Sequence, residues 1–246
     1  MRRQPSASAS IARGLFALAA VTASALAVVG AAAAPAGAAG IVPPSNPTNS
    51  VPPQVMPHCS LSPVDDTSAL CINSVLHDIN YGRSLEGLGP LVLPGGYAGD
   101  AVPVQQLIIA DEERGDRGLS QFSGLVARLN AAALTGAQND ADPQPPSGFT
   151  YTSAGSNFAQ DYTPLGADFA WMYDAGYPGT NIDCTSSGGG GCWGHRDTIL
   201  GNWVTTGSQT AEMGDADTTG GQYTQVFANE TGTADPLVDP ITPSSL

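Results

Sequence analysis

Lysine is absent from the 246-residue sequence, and eight arginines face 22 aspartates and glutamates, which gives a formal net charge of −14. Nucleic-acid binding needs a basic surface that neutralises phosphates, so this composition excludes a nucleic-acid partner. It also disfavours electrostatic binding to anionic lipid, whereas cationic partners and divalent metal ions stay open. Charged residues make up 12% of the chain, against roughly 25% in average soluble domains. This low fraction is typical of a secreted protein.

The sequence also lacks the short motifs of several enzyme classes. It contains no GxSxG elbow, no HExxH pair, no Walker loop and no GxGxxG that follows a strand. Four consecutive glycines at 188–191 lie between two cysteines, and we interpret them as a flexible part of a loop and not as a phosphate-binding motif. No nucleophile or catalytic base is therefore assigned by motif.

The N-terminal segment has the pattern of an export signal. Three arginines within residues 2–13 precede an apolar run over residues 14–34, and a small-residue cleavage pattern, AGA, follows at 36–38. We predict a signal peptide over 1–38, cleaved near Ala38, and a secreted chain that is not embedded in a membrane. Removing the three arginines takes the formal charge from −14 to −17. A membrane anchor is the alternative, because the apolar run reaches spanning length.

Four cysteines in an exported chain predict two disulfides. The sequence-local pairing joins Cys59 to Cys71 and Cys184 to Cys192, and each bond would contribute about 2.5 to 3 kcal/mol if it were unstrained. Crossed pairings stay open at this point. A metal site built on Cys59 and its neighbour His58 is disfavoured because no CxxC motif or histidine cluster accompanies them.

Proline content divides the remaining chain into three parts. Residues 39–57 contain six prolines and no charge, which predicts a flexible Pro-rich linker. Residues 58–230 form the predicted domain, which is large enough for a hydrophobic core. Residues 231–246 form the predicted C-terminal tail.

Apolar periodicity within the domain predicts helices first and a strand later, which favours an α+β fold. The first helix ends near Gly82, Pro103 begins the second, and Val126 begins the third. Further elements are predicted as a helix from Thr163-Pro164 to Gly176, a short helical turn at His195 and a strand over 222–228.

His195 has the most distinctive setting of the three histidines, beside a predicted disulfide and Trp193. As a general base it would need an orienting acid and a nucleophile within hydrogen-bond reach. The alternative is a structural role in which it bonds backbone groups of the turn. The acid pairs Glu112-Glu113 and Asp215/Asp217 could serve glycoside hydrolysis, although neighbouring acids usually face water.

Three blocks resemble bacterial SCP-like proteins of the CAP superfamily. They are WMYD at 171–174, GHRDTIL at 194–200 and YTQVF at 223–227. Upstream, Glu113-Arg114 with a following Gly-Leu, and GSNFA at 155–159, resemble the family's first-helix and GENIA patterns. The similarity covers roughly residues 104–228.

The resemblance implies an α-β-α sandwich with a mainly antiparallel central sheet and a solvent-open cleft. In many members two histidines and two acids in that cleft can hold a divalent metal. This chain has Ser156 at the GENIA glutamate, Gln222 at one histidine and no histidine over 137–140. Because neutral side chains cannot offset a dication's lost hydration, we predict neither a metal nor another cofactor.

Two functions follow from this degenerate site. The first is a monomeric, non-catalytic extracellular module that binds a small apolar or cell-wall ligand. The second is a peptidase, esterase or glycan hydrolase that uses His195 with a nearby acid. The predicted cleft residues are His195, Ser156, Asn157, Gln222 and Gln225. The predicted structural residues are Trp171, Trp193 and Arg196, with Arg196 paired to an acid from another segment.

Overall fold

The computed structural model describes residues 44–55, 58–60, 65–161 and 163–239, so the predicted signal peptide at 1–38 lies outside the described residues. The described helices are α1 (Ala69–Leu85), α2 (Val102–Gly115), α3 (Ala127–Gln138), α4 (Pro164–Met172) and α5 (Gly194–Ile199). The described strands are β1 (Leu125–Val126), β2 (Tyr151–Gln160), β3 (Gln209–Asp217), β4 (Gln222–Thr231) and β5 (Leu237–Asp239). Within these ranges, no helix is long and apolar enough to cross a membrane.

The strands form one mixed sheet in the order β2-β4-β3-β1-β5. Strands β2, β4 and β3 pair antiparallel, whereas the short β1 runs parallel to β3. Helix α3 packs on one face, and α2, α4 and α5 pack on the other, with α1 against α4. The protein is therefore α+β with helices on both faces of a mainly antiparallel sheet, as predicted.

Side-chain alternation in β4 separates the two cores. Tyr223 and Phe227 point into the larger core, which α1, α2 and α4 cover. Val226 and Ala228 point to the other face and pack with Leu129 of α3. Because successive strand residues face opposite sides, the polar-looking QYTQVFA segment serves both layers. The predicted strand at 222–228 is confirmed.

The first helix was predicted to end near Gly82, and α1 ends three residues further on, at Leu85. A Cβ on Gly82 would lie only 2.4 Å from Cδ1 of Tyr173. The glycine therefore permits close approach of the Tyr173 ring and does not end the helix. The fourth helix is shorter than predicted, because it ends at Met172 and not near Gly176.

Buried ion pairs tie the helices together and fix the position of α5. Arg196 Nη2 of α5 donates to Glu86 Oε2 at 2.6 Å, which supplies the predicted partner from another segment. Arg117 also binds Glu86, at 3.1 Å. Arg83 Nη1 donates to Glu113 Oε2 at 2.8 Å, which links α1 to α2. Paired carboxylates of this kind satisfy guanidinium groups that burial would otherwise destabilise.

Segments on both sides of the predicted domain contact it, although the sequence predicted a flexible linker before it and a tail after it. We expected 39–57 to be a flexible linker, yet Val51 is buried and its N–H donates to the Tyr173 carbonyl at 2.8 Å. The described residues 44–55 are thus held against the domain. We expected the tail to begin at 231, but β5 pairs with β1, so the domain extends at least to the end of β5.

Candidate functional site

A cavity of about 500 Å³ opens beside the free edge of β2. Strand β2 lies at one end of the sheet, so one side of its backbone has no strand partner. The lining comes from 140–142 after α3, 158–160 of β2, 170–171 of α4, the loop at 180–183, and residue 195 of α5. Segments distant in sequence therefore converge on one edge of the sheet.

The free backbone groups of Phe158 hold two of the lining side chains. The Trp171 indole Nε1–H donates to the Phe158 carbonyl at 3.0 Å. The Asp142 carboxylate accepts a hydrogen bond from the Phe158 N–H. Because both partners bind the unpaired edge of β2, the Trp171 ring and the Asp142 carboxylate have fixed positions in the cavity.

The local fold around α5 directs His195 toward the cavity. Trp193 precedes the helix in a left-handed conformation with φ 65°, and its N–H donates to the Ala175 carbonyl at 3.1 Å. Asn157 Nδ2 donates to the backbone carbonyl of His195 at 3.2 Å. His195 Nε2 then lies 3.9 Å from Asp142 Oδ1, which is beyond hydrogen-bond range.

The charged groups of the cavity are mainly acidic. Burial lowers the pKa of His195 below its usual 6.5, although Asp142 and Asp183 act in the opposite direction. Burial also raises the pKa of Asp142, with a further increase from Asp183 and an opposing effect of His195. Burial thus disfavours the protonated imidazole that would balance these acids.

The predicted polar residues do not form a single cleft. Asn157 and Gln225 are fully buried and contact each other at 3.4 Å, one layer beneath His195. Gln222 binds the side chain of Thr218 at the β3–β4 turn and is outside the lining, as is the half-buried Ser156. We expected Gln225 or Gln222 to bond His195 directly. Instead, Gln225 reaches it only through Asn157.

The predicted structural residues have distinct positions. Trp171 lines the cavity, Trp193 is buried against Gly176, and Arg196 is fully buried. Each cysteine is bonded to its sequence neighbour, in the pairs Cys59–Cys71 and Cys184–Cys192. The second disulfide closes the loop between the cavity rim and α5.

Sequence reasoning missed the acidic residues of the cavity. Asp140 and Asp142 lie in the segment NDADPQPP that follows α3. Asp183 lies beside a cysteine in the loop at 180–183. Nothing in the local pattern distinguishes these residues from solvated loop acids, because β2 brings them together only through the tertiary fold.

The residues present do not fit the divalent metal that the resemblance implies. Within the ranges that the structure describes, no group of three or more His, Cys, Asp and Glu side chains could hold a metal ion. The candidate acid pairs Glu112-Glu113 and Asp215/Asp217 do not line the cavity. Glu113 instead binds Arg83, and Asp215 is buried beneath the sheet surface.

Fold and site together define an α+β protein with a small cavity at the free edge of its sheet. No protein-family model matches the sequence. No curated protein matches it either. A solved structure, an extracellular protein containing an SCP domain from Bacillus anthracis str. Ames, is similar with a TM-score of 0.37 and 16% identity. The match covers 52% of this chain and 40% of that one.

Proposed function

We propose that this chain is an exported SCP-like protein that binds a small or cell-surface ligand in the cavity without catalysing a reaction. The cavity itself is the observation that carries the proposal. Its volume of about 500 Å³ lies within the range of roughly 300 to 1,000 Å³ that is usual for small-molecule sites. The ordered blocks at 171–174, 194–200 and 223–227 support the SCP-like assignment.

The chemistry of the lining favours binding over catalysis. The hydroxyl of Thr180 is the candidate nucleophile in the described lining. Its Oγ1 instead donates to Asp174 Oδ2 at 2.7 Å. His195 is 3.9 Å from Asp142, so no hydrogen bond orients the imidazole as a base. Among the described lining residues, no hydroxyl or thiol is therefore arranged as a nucleophile with the histidine as its base.

Two features support export. Residues 1–38 have the order of a signal peptide, in which positively charged residues are followed by an apolar run and then by small residues. Both pairs of cysteines form disulfides, and disulfides persist in oxidising compartments outside the cytosol. Export would place the cavity where it can meet a ligand of the cell surface or the surroundings.

The alternative function is hydrolysis. One observation favours it: His195 in the cavity lining has its Nε2 3.9 Å from a carboxylate oxygen of Asp142. A small movement could bring the two groups into hydrogen-bond range, and the imidazole could then activate a water molecule. This mechanism would need no nucleophilic side chain.

Activity panels distinguish the two functions. Purified wild type, His195→Ala and the exposed-site control Asp100→Asn are assayed against peptide, ester and glycan substrates. Binding without catalysis predicts no turnover above background for any of the three proteins. Turnover that disappears in His195→Ala, while the melting temperature stays unchanged and Asp100→Asn stays active, would overturn the proposal in favour of a hydrolase.

A further inference from the structure

Acids outnumber basic side chains in the cavity. The exposed residues Asp140, Asp142 and Asp183 line it, and among the described lining residues His195 is the one basic side chain. The chain has no lysine. The arginines nearest in sequence to the lining are engaged elsewhere, since Arg196 binds Glu86 and Arg128 pairs with Asp235.

The carboxyl groups of Asp142 and Asp183 repel each other, since Asp183 raises the pKa of Asp142. Burial lowers the pKa of His195, which disfavours the positive imidazolium that would relieve this repulsion. A positive charge placed between the acids would remove the repulsion, whereas an anionic ligand would increase it.

The remaining lining is mixed, and part of it is apolar. The half-buried Phe158 presents an aromatic ring, with Ala159 and Ala170 beside it, whereas Trp171 lies behind the surface with 1% of it exposed. Ile182 lies at the rim with 89% of its surface exposed, which leaves a large apolar side chain free to contact a ligand. Aromatic surface also attracts cations through the ring quadrupole.

We propose that the ligand is a small organic cation, an ammonium or guanidinium group carried on an apolar stem. This inference rests on the proposed binding function and names the chemical class of its ligand. The cation lies between Asp142 and Asp183, and the stem lies against Phe158 and Ile182. A bare metal ion fits less well, because it would leave the aromatic part of the lining uncovered and, among the described residues, finds no set of three ligands.

Three probes of equal chain length test the charge. Hexylamine, 1-hexanol and hexanoate are titrated into the ¹⁵N-labelled protein as it is exported. The Trp171 indole and Phe158 amide signals are followed by NMR. We expect hexylamine to bind about tenfold more tightly than 1-hexanol, and hexanoate to bind most weakly. Acetyl-lysine methylamide is a fourth probe, and tighter binding than hexylamine would identify a peptide side chain as the source of the cation.

Matched variants assign the charge to the cavity. Asp142→Asn keeps an acceptor for the Phe158 N–H, and Asp183→Asn removes the second acid. Each should weaken hexylamine binding by about three- to tenfold and leave 1-hexanol binding unchanged. Asp100→Asn, which removes an exposed acid outside the cavity, should change hexylamine binding by less than about twofold.

The outcomes separate this inference from the proposed function. If 1-hexanol binds as tightly as hexylamine, or if Asp100→Asn weakens hexylamine binding as much as Asp142→Asn does, the cation is wrong but the cavity still binds ligands. If no probe shifts the Trp171 or Phe158 signals, the cation inference and the binding function both fail.

Discussion

Arginine supplies the buried positive charge of this chain. Arg83, Arg114 and Arg196 are each at most 1% exposed. A guanidinium group offers five donors in a fixed plane, so one side chain can satisfy several acceptors at once. Arg114 illustrates this, because its donors bind four carbonyls at 2.7 to 3.1 Å, those of Ser120, of Ile199 at the end of α5, and of Gly201 and Trp203 after it. These contacts hold the segment that follows His195.

Arg196 and His195 are adjacent in sequence but should differ in their effect on stability. Arg196→Ala removes hydrogen bonds to the Met172 carbonyl and to Glu86. The partly buried Glu86 carboxylate then keeps Arg117 but loses Arg196 as a partner. We expect the free energy of unfolding to fall by about 3 to 5 kcal/mol. His195→Ala keeps the backbone carbonyl that Asn157 binds, so the loss should be below about 1 kcal/mol.

Urea denaturation of both variants measures this difference. The His195→Ala variant should unfold within about 1 kcal/mol of wild type. A loss for His195→Ala that equals or exceeds the loss for Arg196→Ala would mean that the histidine is a core residue and not part of an open cavity.

Among the elements, the contact of α3 with β3 depends on one glycine. A Cβ on Gly214 would lie 2.2 Å from the backbone carbon of Leu129 and 2.3 Å from its Cβ. Glycine at this position lets the helix backbone lie directly on the strand. Thr224 strengthens the same layer, since its Oγ1 donates to the Ala133 carbonyl at 2.7 Å.

Gly214→Ala should therefore destabilise the protein by about 2 to 4 kcal/mol, because neither backbone can move without breaking packing. Gly95→Ala is the control, as a Cβ there would have no atom within 4 Å. The control should stay within about 0.5 kcal/mol of wild type in the same denaturation assay. Equal stability of the two variants would contradict the close packing of α3 on β3.

Some elements could be predicted from the sequence and others could not. Strand β4 alternates between two cores, which gave a recognisable pattern over 222–228. Strand β2 is an edge strand whose first four residues are exposed, so it has no apolar face to detect. The sequence of strand β3 lacks an apolar alternation, because two of its buried residues are the acids Glu212 and Asp215. The acidic cavity was missed for a related reason, since tertiary contacts alone assemble it.

At the scale of the whole molecule, several buried acids have raised pKa values. Burial and the neighbouring Glu230 raise the pKa of Glu212 to about 8. Burial raises the pKa of Asp111 to about 7 and raises that of Asp215 well above its usual value. The unfolded chain ionises these groups near pH 4 to 4.5, so between pH 5 and 8 the folded state binds more protons. His195, with its lowered pKa, acts in the opposite direction below about pH 6.5.

The free energy of unfolding should therefore be higher at pH 5 than at pH 8. Each raised carboxyl contributes a slope of at most about 1.4 kcal/mol per pH unit. Glu212→Gln should reduce the slope by up to that amount. Denaturation at several pH values checks this, and a stability that rises from pH 5 to pH 8 would contradict the buried acids.

Native mass spectrometry of the exported protein tests most directly the central claim that the cavity is a ligand site. The comparison is between wild type and Ala170→Trp, because a large side chain at this lining position fills the cavity. We predict a non-covalent adduct of a few hundred daltons on wild type that is lost from an equally stable Ala170→Trp variant. Retention of the same adduct by Ala170→Trp would place the ligand elsewhere and contradict the account.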